Sequence, residues 1–206
     1  AGLENLDKHI SNMRNMGQSV VVTLNRFSND KEEEIDIVRQ HCITCGAGFA
    51  MNEAYMKGGE GCLELAQLAI DTISNNPSGD IKFTYSETNS IKDKITSVAK
   101  NVYGASNVVF KKSAMKALER IDEWGLSNYP VCIAKTQYSL SDDAKRYGVP
   151  KDFTFTIRDL VINTGAEMIV AVAGDIMRMP GLPKHPQAER IDIENGLLDR
   201  KSTRLN

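Results

Sequence analysis

Residues 19–61, SVVVTLNRFSNDKEEEIDIVRQHCITCGAGFAMNEAYMKGGEG, contain the pattern that decides the fold. The run Ser19 to Leu24 is short and β-branched, which is typical of a strand buried on both faces. A helix is predicted over 30–45, with Asp30 as the residue that caps its N-terminus. Gly48 to Glu53 is a second, weaker strand. Strand, helix and strand in this order predict a βα unit with parallel strands.

The sequence on both sides extends this pattern. A Thr164-Gly165 turn between two apolar runs indicates an antiparallel hairpin near the end of the chain. We therefore expect an α/β fold, with a mostly parallel sheet of βα units, added helices and a C-terminal antiparallel hairpin. The further predicted helices cover 3–16, 62–73, 91–102 and 113–124, and the further predicted strands cover 108–110, 131–134, 153–162 and 168–173.

Domain limits are predicted from loops and from the two ends of the sequence. We expect residues 1–17 to form the end of a preceding domain or a joining helix, and residues 18–198 to form one α/β domain. The loop 75–80, NNPSGD, predicts a subdomain joint near 75–90. Residues 199–206, DRKSTRLN, read as the in-frame translation of a sequencing-adapter oligonucleotide, and we expect them to be an artefact outside the fold.

Composition excludes several classes of protein. The 206 residues carry a net charge of −2, which argues against nonspecific binding to nucleic acid. The apolar runs are too short for a membrane-spanning helix. Four cysteines in a chain of this size favour reduced thiols, so we expect a cytoplasmic protein. Because of the net charge and the short apolar runs, we expect neither a nucleic-acid partner nor a membrane partner.

Two segments at the expected strand ends are candidates for ligand binding. In Lys57-Gly58-Gly59-Glu60-Gly61, backbone N–H groups ahead of a helix could contact an anion, with Lys57 adding a positive charge. The alternative is a tight strand-to-helix turn. Asn25-Arg26-Phe27 lies where ligands usually bind an α/β sheet, and its aromatic ring could stack on a planar ligand or simply cover a helix end.

Two further motifs are open to interpretation. His41-Cys42-x-x-Cys45 has the spacing of half a zinc or redox site, but no second pair stands at ligand spacing, and the motif lies inside a helix. We therefore predict no metal site there. The polar segment Lys135 to Asp143 could line a polar site, hold a cation or build a network of side-chain turns.

Four strings occur in a fixed order along the chain: VVVTLNRF (20–27), NEAYMKGGEG (52–61), PVCIAKTQYSLSDD (130–143) and AGDIMRMPGLPK (173–184). Together they resemble the C-terminal portion of the formate–tetrahydrofolate ligase family, and the resemblance covers residues 1–196. The resemblance implies an enzyme that joins formate to N10 of tetrahydrofolate, with ATP hydrolysed and formyl phosphate as the intermediate. It also implies Mg²⁺ with ATP, a monovalent cation, and a homotetramer.

The resemblance also implies roles for single residues. Phe27 matches an aromatic residue that packs on the folate ring system, and Tyr55 matches the facing aromatic, which is often Trp in other members. Met51 is expected to add an apolar wall. The segment 57–61 then adjoins the folate pocket, so it either shapes this pocket or contacts an anion.

The ATP-binding P-loop of the family lies in its N-terminal part, and no Gly-x4-Gly-Lys-Ser/Thr pattern occurs in this sequence. We therefore expect the catalytic residues to lie upstream and this chain alone to be inactive in ligation. The alternative is a noncatalytic folate-binding or assembly module of a multifunctional one-carbon enzyme. A third, weaker alternative is a thiol-redox protein that acts through Cys42 and Cys45.

Overall fold

The computed structural model describes residues 2–176, His185, and the backbone of residues 192–194 and 197–199. The chain forms two compact units, Ala1–Ile176 and Met177–Asn206. Within the described residues, no helix combines the length and the apolar character that crossing a membrane requires.

The first unit alternates helices and strands, as the sequence predicts for an α/β fold. Its helices are α1 (Leu3–Asn15), α2 (Glu32–Thr44), α3 (Ala54–Lys57), a 3-10 helix (Gly58–Cys62), α4 (Leu63–Asn75), α5 (Ile91–Asn101), α6 (Lys112–Glu123) and a 3-10 turn (Thr164–Ala166). Its strands are β1 (Val21–Asn25), β2 (Gly48–Asn52), β3 (Asn107–Phe110), β4 (Val131–Ala134), β5 (Thr154–Asn163) and β6 (Met168–Ala173).

A small parallel sheet forms from the stretch that decides the fold. β1 and β2 pair in register from Val21–Gly48 to Asn25–Asn52, and α2 connects them. The parallel pairing predicted from the strand, helix and strand order is confirmed. Ile10 of α1, Cys42 of α2 and Ala47 are buried together beside this sheet.

A second sheet has four strands in the order β3-β5-β6-β4. β3 runs parallel to β5 and β4 runs parallel to β6, while β5 and β6 form the predicted antiparallel hairpin. The largest core cluster packs on this sheet, with Ile95 of α5 and Ile121 of α6 fully buried against Phe155 and Ile157 of β5. The parallel pairs are thus divided between two sheets.

One local expectation is wrong. Asp30 does not cap α2, which begins at Glu32 with Lys31 in the capping position. The Asp30 carboxylate instead accepts a hydrogen bond from the backbone N–H of Phe27 at 2.8 Å. Most of the segment 57–61 forms the 3-10 helix that leads into α4, as expected for a segment directly before a helix.

Among the described residues of the second unit, β7 (Asp192–Glu194) pairs with β8 (Leu197–Asp199) as a short antiparallel hairpin. Most of the string at 173–184 lies outside the described residues. Of the eight residues predicted to be an adapter artefact, only Asp199 is described, as the last residue of β8.

Candidate functional site

The candidate site lies at the carboxyl edge of the small parallel sheet. Because β1 and β2 are parallel and in register, both strands end at this edge, at Asn25 and Asn52. Arg26 and Phe27 follow β1, and the backbone N–H of Arg26 continues the pairing by donating to the Asn52 carbonyl oxygen at 3.0 Å. In α/β proteins this edge is where ligands usually bind.

Two large aromatic side chains are exposed at this edge. Phe27 is 66% exposed and Tyr55 is 80% exposed. Among residues 2–176, neither ring takes part in a ring-to-ring contact. Their flat faces are therefore accessible to a planar ligand. Met51 is half-buried on β2 beside Leu24, next to the end of the strand.

Local hydrogen bonds fix the backbone that carries Phe27. The Asp30 carboxylate accepts the Phe27 N–H, closing a turn directly after β1. An ion pair between Arg26 and Glu32 ties the same turn to the first residue of α2. The Phe27 ring is thus exposed, while the hydrogen bond to Asp30 and the ion pair of Arg26 hold the backbone that carries it.

Asn52 organises the other side of the edge. Its side-chain amide donates to the Asn25 side-chain oxygen at 2.9 Å, which links the ends of the two strands. Its own side-chain oxygen accepts from the Ala54 N–H at 3.0 Å and from the Cys62 thiol at 3.3 Å. One side chain therefore connects β1, β2, the start of α3 and the end of the 3-10 helix.

Lys57 is engaged in an ion pair. Its ammonium group donates to the Glu53 carboxylate at 2.6 Å, four residues earlier. This hydrogen bond, with the positive charges of Lys57 and Arg26, holds the pKa of Glu53 below its ordinary value. Because its charge is already paired, Lys57 fits a pocket-shaping role better than an anion contact.

The glycines of 57–61 differ in what they require. Gly61 lies against the backbone of Glu53, and an added Cβ would come within 2.5 Å of the Glu53 carbonyl carbon. The Glu53 N–H also donates to the Gly61 carbonyl oxygen at 2.9 Å. Gly58 has φ +62, whereas Gly59 has open space around it. The exposed Glu60 lies between Gly59 and Gly61 in the 3-10 helix.

The polar segment after β4 forms a series of side-chain turns. The Thr136 hydroxyl accepts from the Tyr138 N–H, Ser139 from Ser141, and Ser141 from Asp143, each two residues along. Thr136, Ser139 and Ser141 are buried. Lys135 donates to backbone carbonyls of this segment, and burial lowers its pKa. Of the alternatives left open by the sequence, the turn network accounts for these contacts.

Sequence reasoning missed a cavity of about 450 Å³ beside the four-stranded sheet. Lys111 after β3 and Arg158 of β5 face it together with Asp142 and Asp175, and Arg158 pairs with Asp175 at 2.5 Å. Its mixed charges come from four separate segments of the chain, so no spacing along the sequence predicts it.

The architecture defines an α/β protein whose candidate site lies at the carboxyl edge of a parallel strand pair and presents two exposed rings. The profile of the family described as formate–tetrahydrofolate ligase matches residues 1–199. The chain belongs to the formate–tetrahydrofolate ligase family.

Curated relatives named formate–tetrahydrofolate ligase are similar over nearly the whole chain. The protein of Parabacteroides distasonis is 54% identical over 198 residues, which is 96% of this chain and 36% of the relative. The protein of Bacteroides thetaiotaomicron is 52% identical over the same share, and that of Campylobacter concisus is 52% identical over 94% of this chain. The chain thus spans about a third of the length of these relatives.

Proposed function

We propose that this chain is the C-terminal, folate-binding part of a formate–tetrahydrofolate ligase. The observation that carries the proposal is the pair of exposed aromatic side chains, Phe27 and Tyr55, at one edge of the β1–β2 sheet. A pterin is a flat aromatic ring system, and two flat side chains bind such a ring by dispersion and stacking. Met51, on β2 next to the end of the strand, adds an apolar wall to the proposed folate site.

The chemistry of the family assigns this part of the protein a positioning role. Formate becomes an electrophile when ATP converts it to formyl phosphate, and the amine N10 of tetrahydrofolate then attacks the carbonyl carbon. A clamp on the pterin fixes the direction from which N10 approaches. It also covers one side of the reacting centre, which protects the mixed anhydride from water.

The groups that bind ATP are proposed to lie in another part of the longer protein. The chain covers 36% of its relatives, and its sequence contains no P-loop pattern. The remaining partners are formate, ATP with Mg²⁺ and a monovalent cation, in a cytoplasmic homotetramer. We predict that the purified 206-residue chain forms no 10-formyltetrahydrofolate from ATP, formate and tetrahydrofolate. A product that depends on ATP and formate would contradict this.

Anaerobic calorimetry of tetrahydrofolate binding tests the folate site. We expect saturable binding to the whole chain, weakened about tenfold by Phe27→Ala and by Tyr55→Ala because each removes one stacking face. Phe83→Ala and Tyr147→Ala are matched controls, since these rings are 82% and 76% exposed elsewhere. No binding by a chain that circular dichroism shows to be folded would overturn the assignment. So would equal binding by all four variants.

A further inference from the structure

Three side chains of different chemistry converge at the end of α2. The Asp7 carboxylate of α1 lies 2.6 Å from His41 Nε2 and 3.5 Å from Cys45 Sγ. His41 Nε2 and Cys45 Sγ are 3.6 Å apart, so the three ligand atoms surround one point. We propose that Asp7, His41 and Cys45 form a site for a divalent, thiol-binding metal ion, with Zn²⁺ as the occupant.

The distances fit tetrahedral coordination. With Zn–S near 2.3 Å and Zn–N and Zn–O near 2.0–2.2 Å, tetrahedral angles place sulfur about 3.5–3.7 Å from each of the other two ligand atoms. The observed sulfur distances are 3.5 and 3.6 Å. The third separation, 2.6 Å between Asp7 and His41, is that of a hydrogen bond. It has to widen by about 0.7–0.9 Å, so the Asp7 carboxyl group and the His41 ring have to move apart when the ion binds.

Helix geometry holds two of the ligands. His41 and Cys45 are four residues apart at the C-terminal end of α2, so they lie on one helix face, one turn apart. Asp7 comes from the second turn of α1, which packs on α2 through Ile10 and Cys42. A metal ion bound by all three would therefore cross-link the two helices.

The ligand set selects the kind of metal. A thiolate, an imidazole and a carboxylate suit Zn²⁺, whereas Mg²⁺ and Ca²⁺ prefer oxygen ligands alone. His41 is 24% exposed and Asp7 is 46% exposed, so an ion can reach the site from solvent. Three protein ligands leave a fourth position for water.

Binding exchanges a proton for the metal. The Cys45 thiol donates a hydrogen bond to the Asp7 carboxylate at 3.5 Å, so without a metal ion the sulfur is held as a thiol. When the metal binds, the S–H bond breaks, a metal–sulfur bond forms and one proton leaves to solvent. His41 binds through Nε2 as the neutral imidazole, and Asp7 binds as the carboxylate.

This site is separate from the proposed folate edge. α2 begins beside the carboxyl end of β1 and leads back toward the start of β2 at Gly48, so its last turn lies at the opposite, amino edge of the small sheet. From the spacing of His41, Cys42 and Cys45 no metal site is predicted, because the third ligand, Asp7, is 34 residues away from His41. Only the packing of α1 on α2 brings Asp7 to the pair.

Titration of the reduced, metal-free whole chain with Co²⁺ tests the proposal, because cobalt reports sulfur ligation directly. We expect a thiolate-to-cobalt charge-transfer band that saturates at one ion per chain and disappears when Zn²⁺ is added. Cys45→Ser should abolish the band, and Asp7→Asn and His41→Gln should each weaken Zn²⁺ affinity by about 100-fold. Controls are His9→Gln and Cys132→Ser, which alter exposed residues outside the cluster.

A second measurement uses the unmodified chain and so does not depend on the folding of any variant. Alkylation with iodoacetamide followed by mass spectrometry should show that Zn²⁺ protects Cys45 and leaves the exposed Cys132 reactive. The absence of a thiolate band in the wild-type chain would overturn the proposal and leave the cluster as a hydrogen-bonded trio. Equal protection of all reactive cysteines would also overturn it.

Discussion

Around the four-stranded sheet, a continuous buried core includes Phe155, Ile157 and Ile169, whereas the buried cluster beside the two-stranded sheet consists of Ile10, Cys42 and Ala47. The small sheet also has large apolar side chains on its surface. Those exposed in the turns after its strands and on α2 and α4 are Phe27, Ile37, Ile43, Tyr55, Met56, Leu63, Ile70 and Ile73.

This contrast indicates that the region that stabilises the fold, around the four-stranded sheet, is different from the region that carries the candidate site, at the small sheet. Burial of apolar surface is the main favourable contribution to folding, so the four-stranded region should contribute most of the free energy of unfolding. The small sheet holds its site residues mainly by local hydrogen bonds and ion pairs, and it leaves two rings exposed where a ligand can cover them. Each of the following predictions tests one part of this contrast.

The largest expected effect is on stability, in the four-stranded region. Phe155 is fully buried and stacks on Tyr103, with ring centroids 5.7 Å apart. Phe155→Ala should lower the free energy of unfolding by about 3–5 kcal/mol, because it removes buried apolar surface and leaves a cavity. Phe27→Ala is the matched control in the small sheet and should cost less than about 0.5 kcal/mol, since that ring is exposed. Urea unfolding measures both, and equal losses would contradict the contrast.

An intermediate effect is expected at the folate edge itself. Gly61→Ala should lower stability by about 1–3 kcal/mol and weaken tetrahydrofolate binding, because the new Cβ forces the Glu53 backbone away. Gly59→Ala is the control in the same 3-10 helix, where the added Cβ meets open space. Urea unfolding and calorimetry on the two variants compare them, and an unchanged Gly61→Ala protein would refute the close contact.

The smallest effect concerns the Glu53–Lys57 ion pair. Because Lys57 holds the pKa of Glu53 below its ordinary value of 4.5, the pair stabilises the fold above that pH. This contribution is lost as the pH falls through the lowered pKa. Lys57→Met should raise the Glu53 pKa and remove this pH dependence, as measured by NMR titration of the labelled carboxyl carbon. Lys31→Met is the control, and an unshifted Glu53 in Lys57→Met would disprove the pairing.

Sequence patterns predicted individual helices and strands better than they predicted which strands pair with one another. The predicted strands at 131–134 and 168–173 match β4 and β6, because each is a compact apolar run bounded by polar or turn residues. A β-branched run does not specify its neighbour, so the division of the parallel pairs between two sheets was not predictable. The Asp30 cap was wrong because the carboxylate accepts the backbone N–H of Phe27, and α2 begins two residues later, at Glu32.

The site residues show the same division. The position of Phe27 at the end of a parallel strand was predicted from the sequence pattern, whereas Tyr55 was predicted only from the family resemblance. The links made by Asn52 and the closeness of Asp7 to His41 depend on tertiary packing. The carboxylate at position 7 has no local signal, since an acidic residue in the second turn of an amphipathic helix is ordinary surface composition.

The most direct test of the central claim is NMR of the chain labelled with ¹³C at its methionine methyl groups, titrated anaerobically with tetrahydrofolate. If the pterin lies between Phe27 and Tyr55, the Met51 methyl resonance should shift in a saturable way. Met115 on α6, in the four-stranded region, should not respond. A Met51 resonance that stays unchanged at saturating tetrahydrofolate would contradict the assignment of this edge as the folate site.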